Sequence, residues 1–112
     1  MKNFSLDPDC PTGKIYGMIE VFTDENPSET SWTLARGTPD NVIITSDAYN
    51  EANFKYTFGS CAAIDCYIFT IFDSSGDGLS GSSGYQIFGN GNLIVEGSFD
   101  NGFEESVSIG SC

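Results

Sequence analysis

The segment Phe72-Asp73-Ser74-Ser75-Gly76-Asp77-Gly78-Leu79-Ser80-Gly81 sets two carboxylates four residues apart, with hydroxyls between them and glycines at the bends. Calcium takes six to eight oxygens at once, so a loop that holds it alternates carboxylates with backbone carbonyls and uses glycine where the chain turns sharply. Asp73, Ser75 and Asp77 fall at the first, third and fifth places of an EF-hand-like loop, with Gly78 at the sixth and Leu79 at the seventh, where a backbone carbonyl is the ligand. The likeness stops there. The twelfth place, which should carry a bidentate glutamate, is Gly84, and the flanking residues are strand-like rather than helical. Further oxygens must therefore come from another part of the chain, and an acidic stretch in the first half offers Asp24, Glu25, Asn26 and Glu29. The competing reading of Asp73 to Gly78 is a plain polar turn, since Asp and Gly also dominate turns that bind nothing.

The elements that must position these residues read as short strands. Apolar or alternating runs occupy Lys14 to Phe22, Ser31 to Ala35, Asn41 to Thr45, Phe54 to Phe58, Cys66 to Phe72, Tyr85 to Phe88, Asn92 to Glu96 and Glu104 to Ile109, separated by residues that favour turns. No ten-residue stretch carries a helical apolar stripe. Eight such strands in 112 residues predict an all-β, two-sheet sandwich of jelly-roll or Greek-key type, with a small closed barrel as the alternative. The polar segment 1–13 reads as an N-terminal arm, and 14–112 as a single β-sandwich domain. Trp32, Tyr67, Phe69 and Tyr85 alternate with polar neighbours and are expected in the core.

An internal repeat divides the domain. In each half an apolar strand ends in an aspartate (Asp24, Asp73) and an acidic, turn-rich loop follows. Next come an aromatic strand (Ser31 to Leu34; Gly84 to Ile87), a second strand (Asn41 to Ile44; Asn92 to Val95), an aromatic residue (Tyr49; Phe99) and a last strand. Two four-strand units packed face to face would build the sandwich. Their acidic loops would then meet at one edge, where they could share one ion or bind two.

Composition narrows the partners. Sixteen acidic residues against four basic ones give a formal charge of −12, which disfavours nucleic acid and anionic membranes and favours cations. Nothing approaches a membrane span, and residues 1–20 lack an apolar signal core, so the chain reads as a mature or excised domain. Cys10, Cys61, Cys66 and Cys112 lack the spacing of a zinc site and have no histidine beside them. Of the three possible pairings, Cys61–Cys66 across a hairpin mouth and Cys10–Cys112 across the chain ends is the one expected, in a secreted or cell-surface protein.

The stretches "TDENPSETSW" (Thr23 to Trp32), "CYIFTIFDSSGDGLSG" (Cys66 to Gly81) and "GYQIFGNGNLIVEGSF" (Gly84 to Phe99) resemble a secreted β-domain. That domain recurs in large extracellular proteins of microalgae, oomycetes and marine bacteria, with a pattern close to T-D-x-Y-P-x-E-T-S-W and C-Y-x-F-x-I-x-D-x-x-G-D-G. The resemblance spans about residues 14 to 109 and implies Asp24, Glu29, Asp73 and Asp77 as its recurrent acidic positions. Asn26 stands where the pattern has an aromatic, and Leu79-Ser80 where a cysteine pair often follows. Catalysis finds little support, because without histidine there is no Ser-His or Cys-His pair, and a hydrolase built on Asp73 and Asp77 ranks third. The expected function is a non-catalytic, calcium-stabilised extracellular module whose ligand is left open, with carbohydrate as one candidate. The alternative is a structural or adhesive subunit that assembles with neighbouring copies of itself.

Overall fold

The computed structural model of the chain describes residues 10–73, 84–97 and 103–112. It contains β1 (Lys14–Phe22), a single 3-10 turn (Pro27–Glu29), β2 (Thr30–Arg36), β3 (Val42–Thr45), β4 (Lys55–Ala63), β5 (Cys66–Asp73), β6 (Gly84–Gly89), β7 (Asn92–Gly97) and β8 (Glu104–Gly110). These strands form two antiparallel sheets, ordered β4-β1-β6-β7 and β3-β2-β5-β8. Among the described residues no strand of one sheet pairs with a strand of the other, so the architecture is a sandwich and not a closed barrel.

Each expected run becomes a strand, and only β4 departs from its expected bounds by more than a residue, running on to Ala63 instead of stopping at Phe58. The reason is its partner. β1 pairs with β4 along its whole length, from Lys14 opposite Ala63 to Phe22 opposite Lys55. Gly59 serves this pairing because the ring of Tyr16, on β1, occupies the space that a Cβ at position 59 would need.

Period-two alternation decides which residues fill the space between the sheets. β1 turns Ile19 and Val21 inward, β2 turns Trp32 and Leu34, β5 turns Tyr67, Phe69 and Ile71, and β6 turns Tyr85 and Ile87. The four aromatics expected in the core are all buried. Each large apolar side chain removed from water contributes about 1.5–3 kcal/mol. Trp32 packs against Phe69 at 5.7 Å between ring centroids and meets Phe58 of the facing sheet edge-on at 5.6 Å.

The two halves interlock rather than stack. Replacing β1, β2, β3 and β4 by β5, β6, β7 and β8 converts the order β4-β1-β6-β7 into β8-β5-β2-β3, which is the other sheet read backwards. Each half thus gives its first and last strands to one sheet and its middle hairpin to the other, in place of the face-to-face packing of whole units. The pairing register also corrects the repeat by one residue. Phe22 lies opposite Gly84 and Phe72 opposite Ser31, so the position equivalent to Asp73 is Thr23, with Asp24 one step further along.

The disulfides are Cys10–Cys61 and Cys66–Cys112, with Cα separations of 5.6 and 4.6 Å, and not the expected Cys61–Cys66 and Cys10–Cys112. The expected pairing assumed that β4 and β5 form a hairpin, whereas residues 64–65 carry the chain from the edge of one sheet to the interior of the other. Cys66 is opposite Gly110 in the β5–β8 ladder, which brings Cys112 within reach. Cys10 is fastened to β4, so the described end of the polar lead-in is bound to the domain.

Candidate functional site

Both acidic connections begin at the same end of the sandwich. The chain leaves β1 at Phe22, crosses to the other sheet through Thr23–Glu29, and enters β2 at Thr30. Thr30 is the cross-strand partner of Asp73, the last residue of β5, from which the second connection departs toward Gly84, itself opposite Phe22. That the two connections share their end points at this end of the sandwich therefore follows from the strand order.

Asp73 continues the inward file of Tyr67, Phe69 and Ile71, and so points where a core side chain would point. It is 1 % exposed, and its neighbour Thr30 is 3 % exposed. The backbone N–H of Asp73 donates to the carbonyl of Phe103 at 2.8 Å, which ties the start of the connection to the entry of β8. The Thr30 hydroxyl is fully buried and has no hydrogen-bond partner among the described residues. A buried hydroxyl at the end of an apolar file has lost water, so the position calls for a compensating polar group.

Asp24 is also buried, at 6 % exposure. One of its carboxylate oxygens accepts from the backbone N–H of Asn26 at 2.8 Å, an Asx turn that shapes the start of the crossing. Pro27 opens the 3-10 turn, as a residue with fixed φ should, and Glu29 closes it half-buried beside Thr30. The crossing is clamped from outside by the β3–β4 connection. The Thr23 hydroxyl donates to the Glu51 carbonyl at 2.7 Å and accepts from the Phe54 N–H at 3.0 Å, while the Asn53 N–H donates to the Asp24 carbonyl at 3.0 Å.

Of the residues singled out as metal ligands, Asp24, Glu29 and Asp73 are thus brought to one end of the sandwich, while Ser75, Asp77 and Leu79 lie outside the described residues. Among the described residues no group of three or more Asp, Glu, Cys or His side chains stands close enough to hold a metal ion. Glu104 and Glu105 face opposite ways, as adjacent strand residues must. Glu104 is exposed, and Glu105 accepts from the Tyr85 hydroxyl at 2.5 Å. Burial, that hydrogen bond and the Glu105 charge together push the Tyr85 hydroxyl well above the ordinary tyrosine range.

A second concavity lies between edge strands β3 and β4. Trp32 lies buried behind it and donates from Nε1 to the Tyr49 hydroxyl at 2.6 Å, and Tyr49 stacks on Tyr56 with 4.2 Å between ring centroids. Burial pushes the Tyr49 hydroxyl up from its ordinary value, against the pull of the Trp32 donor. The aromatic crowding of "DAYNEANFKYTF" is the signal in the sequence that points to this cluster.

The fold and these sites define a disulfide-bridged, all-β sandwich domain with an acidic crossing at one end. Comparison with family models, with curated proteins and with solved structures finds no match to the chain.

Proposed function

We propose that this is a non-catalytic extracellular module whose crossing end is ordered by calcium. The observation that carries the reading is the burial of Asp73 and Asp24 at the end of the sandwich from which both acidic connections start. A domain with a formal charge of −12 keeps two carboxylates there, out of water. Asp73 begins the segment whose carboxylates, hydroxyl and glycines have the spacing of a calcium loop, and Asp24 and Glu29 would supply oxygens that this segment lacks. The two disulfides fit an oxidising compartment, and no helix among the described residues is long and apolar enough to cross a membrane.

Thermal melting in millimolar calcium and in chelator tests the proposal. An ion that binds only the folded state raises stability by RT ln(1 + [L]/Kd), about 2.7 kcal/mol at a hundredfold excess over Kd. Equal melting temperatures in the two buffers reject it. Magnesium should substitute poorly, because it requires a tighter octahedral shell.

A second reading, assembly with neighbouring copies, draws on the sheet edges. Edge strand β3 exposes Val42 and Ile43, and its repeat equivalent β7 exposes Leu93 and Ile94. Apolar edge strands favour pairing with another chain. Sedimentation at increasing concentration separates the readings, since an assembling subunit grows in mass and a monomeric binding module does not.

A further inference from the structure

We infer that the cleft between β3 and β4 is a binding site for one pyranose ring of a neutral glycan. The inference rests on the reading of the domain as a binding module, and it supplies a place and a ligand class for the binding.

The cleft encloses about 270 Å³. Sites for drug-sized ligands run from about 300 to 1,000 Å³, so this one has room for a single ring rather than an extended chain. Its accessible apolar surface comes from Phe58 and the half-buried Tyr56, backed by the buried Trp32 and Tyr49, and its polar rim includes Ser46 and Asp47. Tyr56 and Phe58 point inward from β4 opposite Val21 and Ile19. Phe58 nevertheless stays 37 % exposed, because β4 and β3 are edges of different sheets and do not pair across the gap. A pyranose offers apolar C–H groups on its faces and hydroxyls around its rim, which matches an aromatic floor beside a carboxylate and a serine.

The charge around the cleft excludes anionic ligands. Asp47 is exposed at its mouth, and none of the described residues lining it is a lysine or arginine. The tyrosine hydroxyls are already engaged within the protein. That of Tyr49 accepts from Trp32, and that of Tyr56 accepts from the Glu51 N–H at 2.9 Å. They hold the rings in place, and the exposed polar residues lining the cleft are Thr45, Asp47 and Thr57, of which Asp47 alone carries a charge. Rings fixed in this way lose little freedom when a ligand docks.

The repeat shows that the fold does not require this cluster. The register places Glu105 at the equivalent of Tyr56 and Val107 at the equivalent of Phe58, with Tyr85 in the place of Trp32. There the hydrogen bond from Tyr85 to Glu105 replaces the aromatic group. One sheet edge is thus furnished with aromatics while its equivalent is built without them. The loop that carries Ser46 to Tyr49 continues into Glu51, Asn53 and Phe54, which clamp Thr23 and Asp24, so ordering the acidic crossing also steadies the cleft.

The test titrates the whole domain with glucose-, mannose-, galactose- and xylose-based tetrasaccharides, in calcium and again in chelator. Binding is followed by calorimetry and by the emission of Trp32, the single tryptophan. At least one saccharide should give a saturable response that added salt leaves unchanged. Phe58→Ala should weaken it about tenfold. Asp47→Asn, at an exposed position where folding is not at stake, should also weaken it about tenfold. Equal binding in calcium and chelator keeps the cleft assignment and counts against the ion reading, so the two can fail separately. No saturable response to any of the four saccharides overturns the assignment, as does binding indifferent to both substitutions. Saturation by tetramethylammonium in their place, weakened by salt, also overturns it and marks a cation cage.

Discussion

Substituting Asp73→Asn removes one charge from the buried end of β5 while keeping the side-chain volume and one acceptor oxygen. Asp73 is 1 % exposed, so a divalent ion beside it would be poorly screened. At about 4 Å and an effective dielectric of about 20, a carboxylate and a divalent ion attract by about 8 kcal/mol. Desolvation of both takes back most of this, and a residue of about 2.7 kcal/mol still corresponds to a hundredfold in affinity. For a hundredfold calcium excess over the wild-type Kd, the ion-induced stabilisation then falls from about 2.7 to about 0.4 kcal/mol. An unfolding entropy of about 2.1 cal/mol/K per residue over 112 residues gives about 0.24 kcal/mol/K. The calcium-induced rise in melting temperature should therefore shrink from about 12 °C to about 2 °C. The assay is differential scanning calorimetry of each protein in calcium and in chelator. Each variant serves as its own reference, so any effect of the substitution on folding itself cancels. A variant that keeps the full rise shows that Asp73 does not touch the ion.

Three further outcomes follow from the same geometry. Asp24→Asn should lower the calcium increment as well, and the double substitution with Asp73→Asn should fall short of the sum if both act on one site; additive losses in the same calorimetric series indicate two separate sites. Peptide mapping should join Cys10 to Cys61 and Cys66 to Cys112, and replacing Cys66 and Cys112 together by serine should cost about 4 kcal/mol by loop-closure entropy, measured by urea unfolding. The raised Tyr85 hydroxyl stabilises the fold fully below the ordinary tyrosine value of 10.0, and that contribution is lost as pH rises through the folded value. Unfolding followed against alkaline pH should show this loss, and Glu105→Gln should soften it by removing the charge that helps to raise Tyr85.

Much of the fold was legible because it depends on local pattern. Alternation in "CYIFTIFD" placed Tyr67 and Phe69 in the core, and turn residues bounded eight strands. What depends on which strands become neighbours was not legible. Cys61 and Cys66 are close in sequence but belong to different sheets, so their partners follow from the β5–β8 pairing and the lead-in to β1. The length of β4 was hidden because Gly59 breaks its pattern, and only the Tyr16 ring across the pair explains that glycine. Asp73 was legible as an acidic residue ending a strand, but its burial follows from its parity in a strand enclosed between β2 and β8. The β3–β4 cleft was least legible of all. Tyr49 sits in a connection and joins the core only because that connection closes the gap between two edges.

The most direct measurement of the central claim is a crystal structure grown in calcium, with anomalous scattering recorded to locate the ion. An ion should lie about 2.3–2.6 Å from an oxygen of Asp73, within a shell of six to eight oxygens that includes one from Asp24 or Glu29. Crystals grown in saturating calcium with no ion beside Asp73, and with Asp24 and Glu29 turned to other partners, would contradict the account.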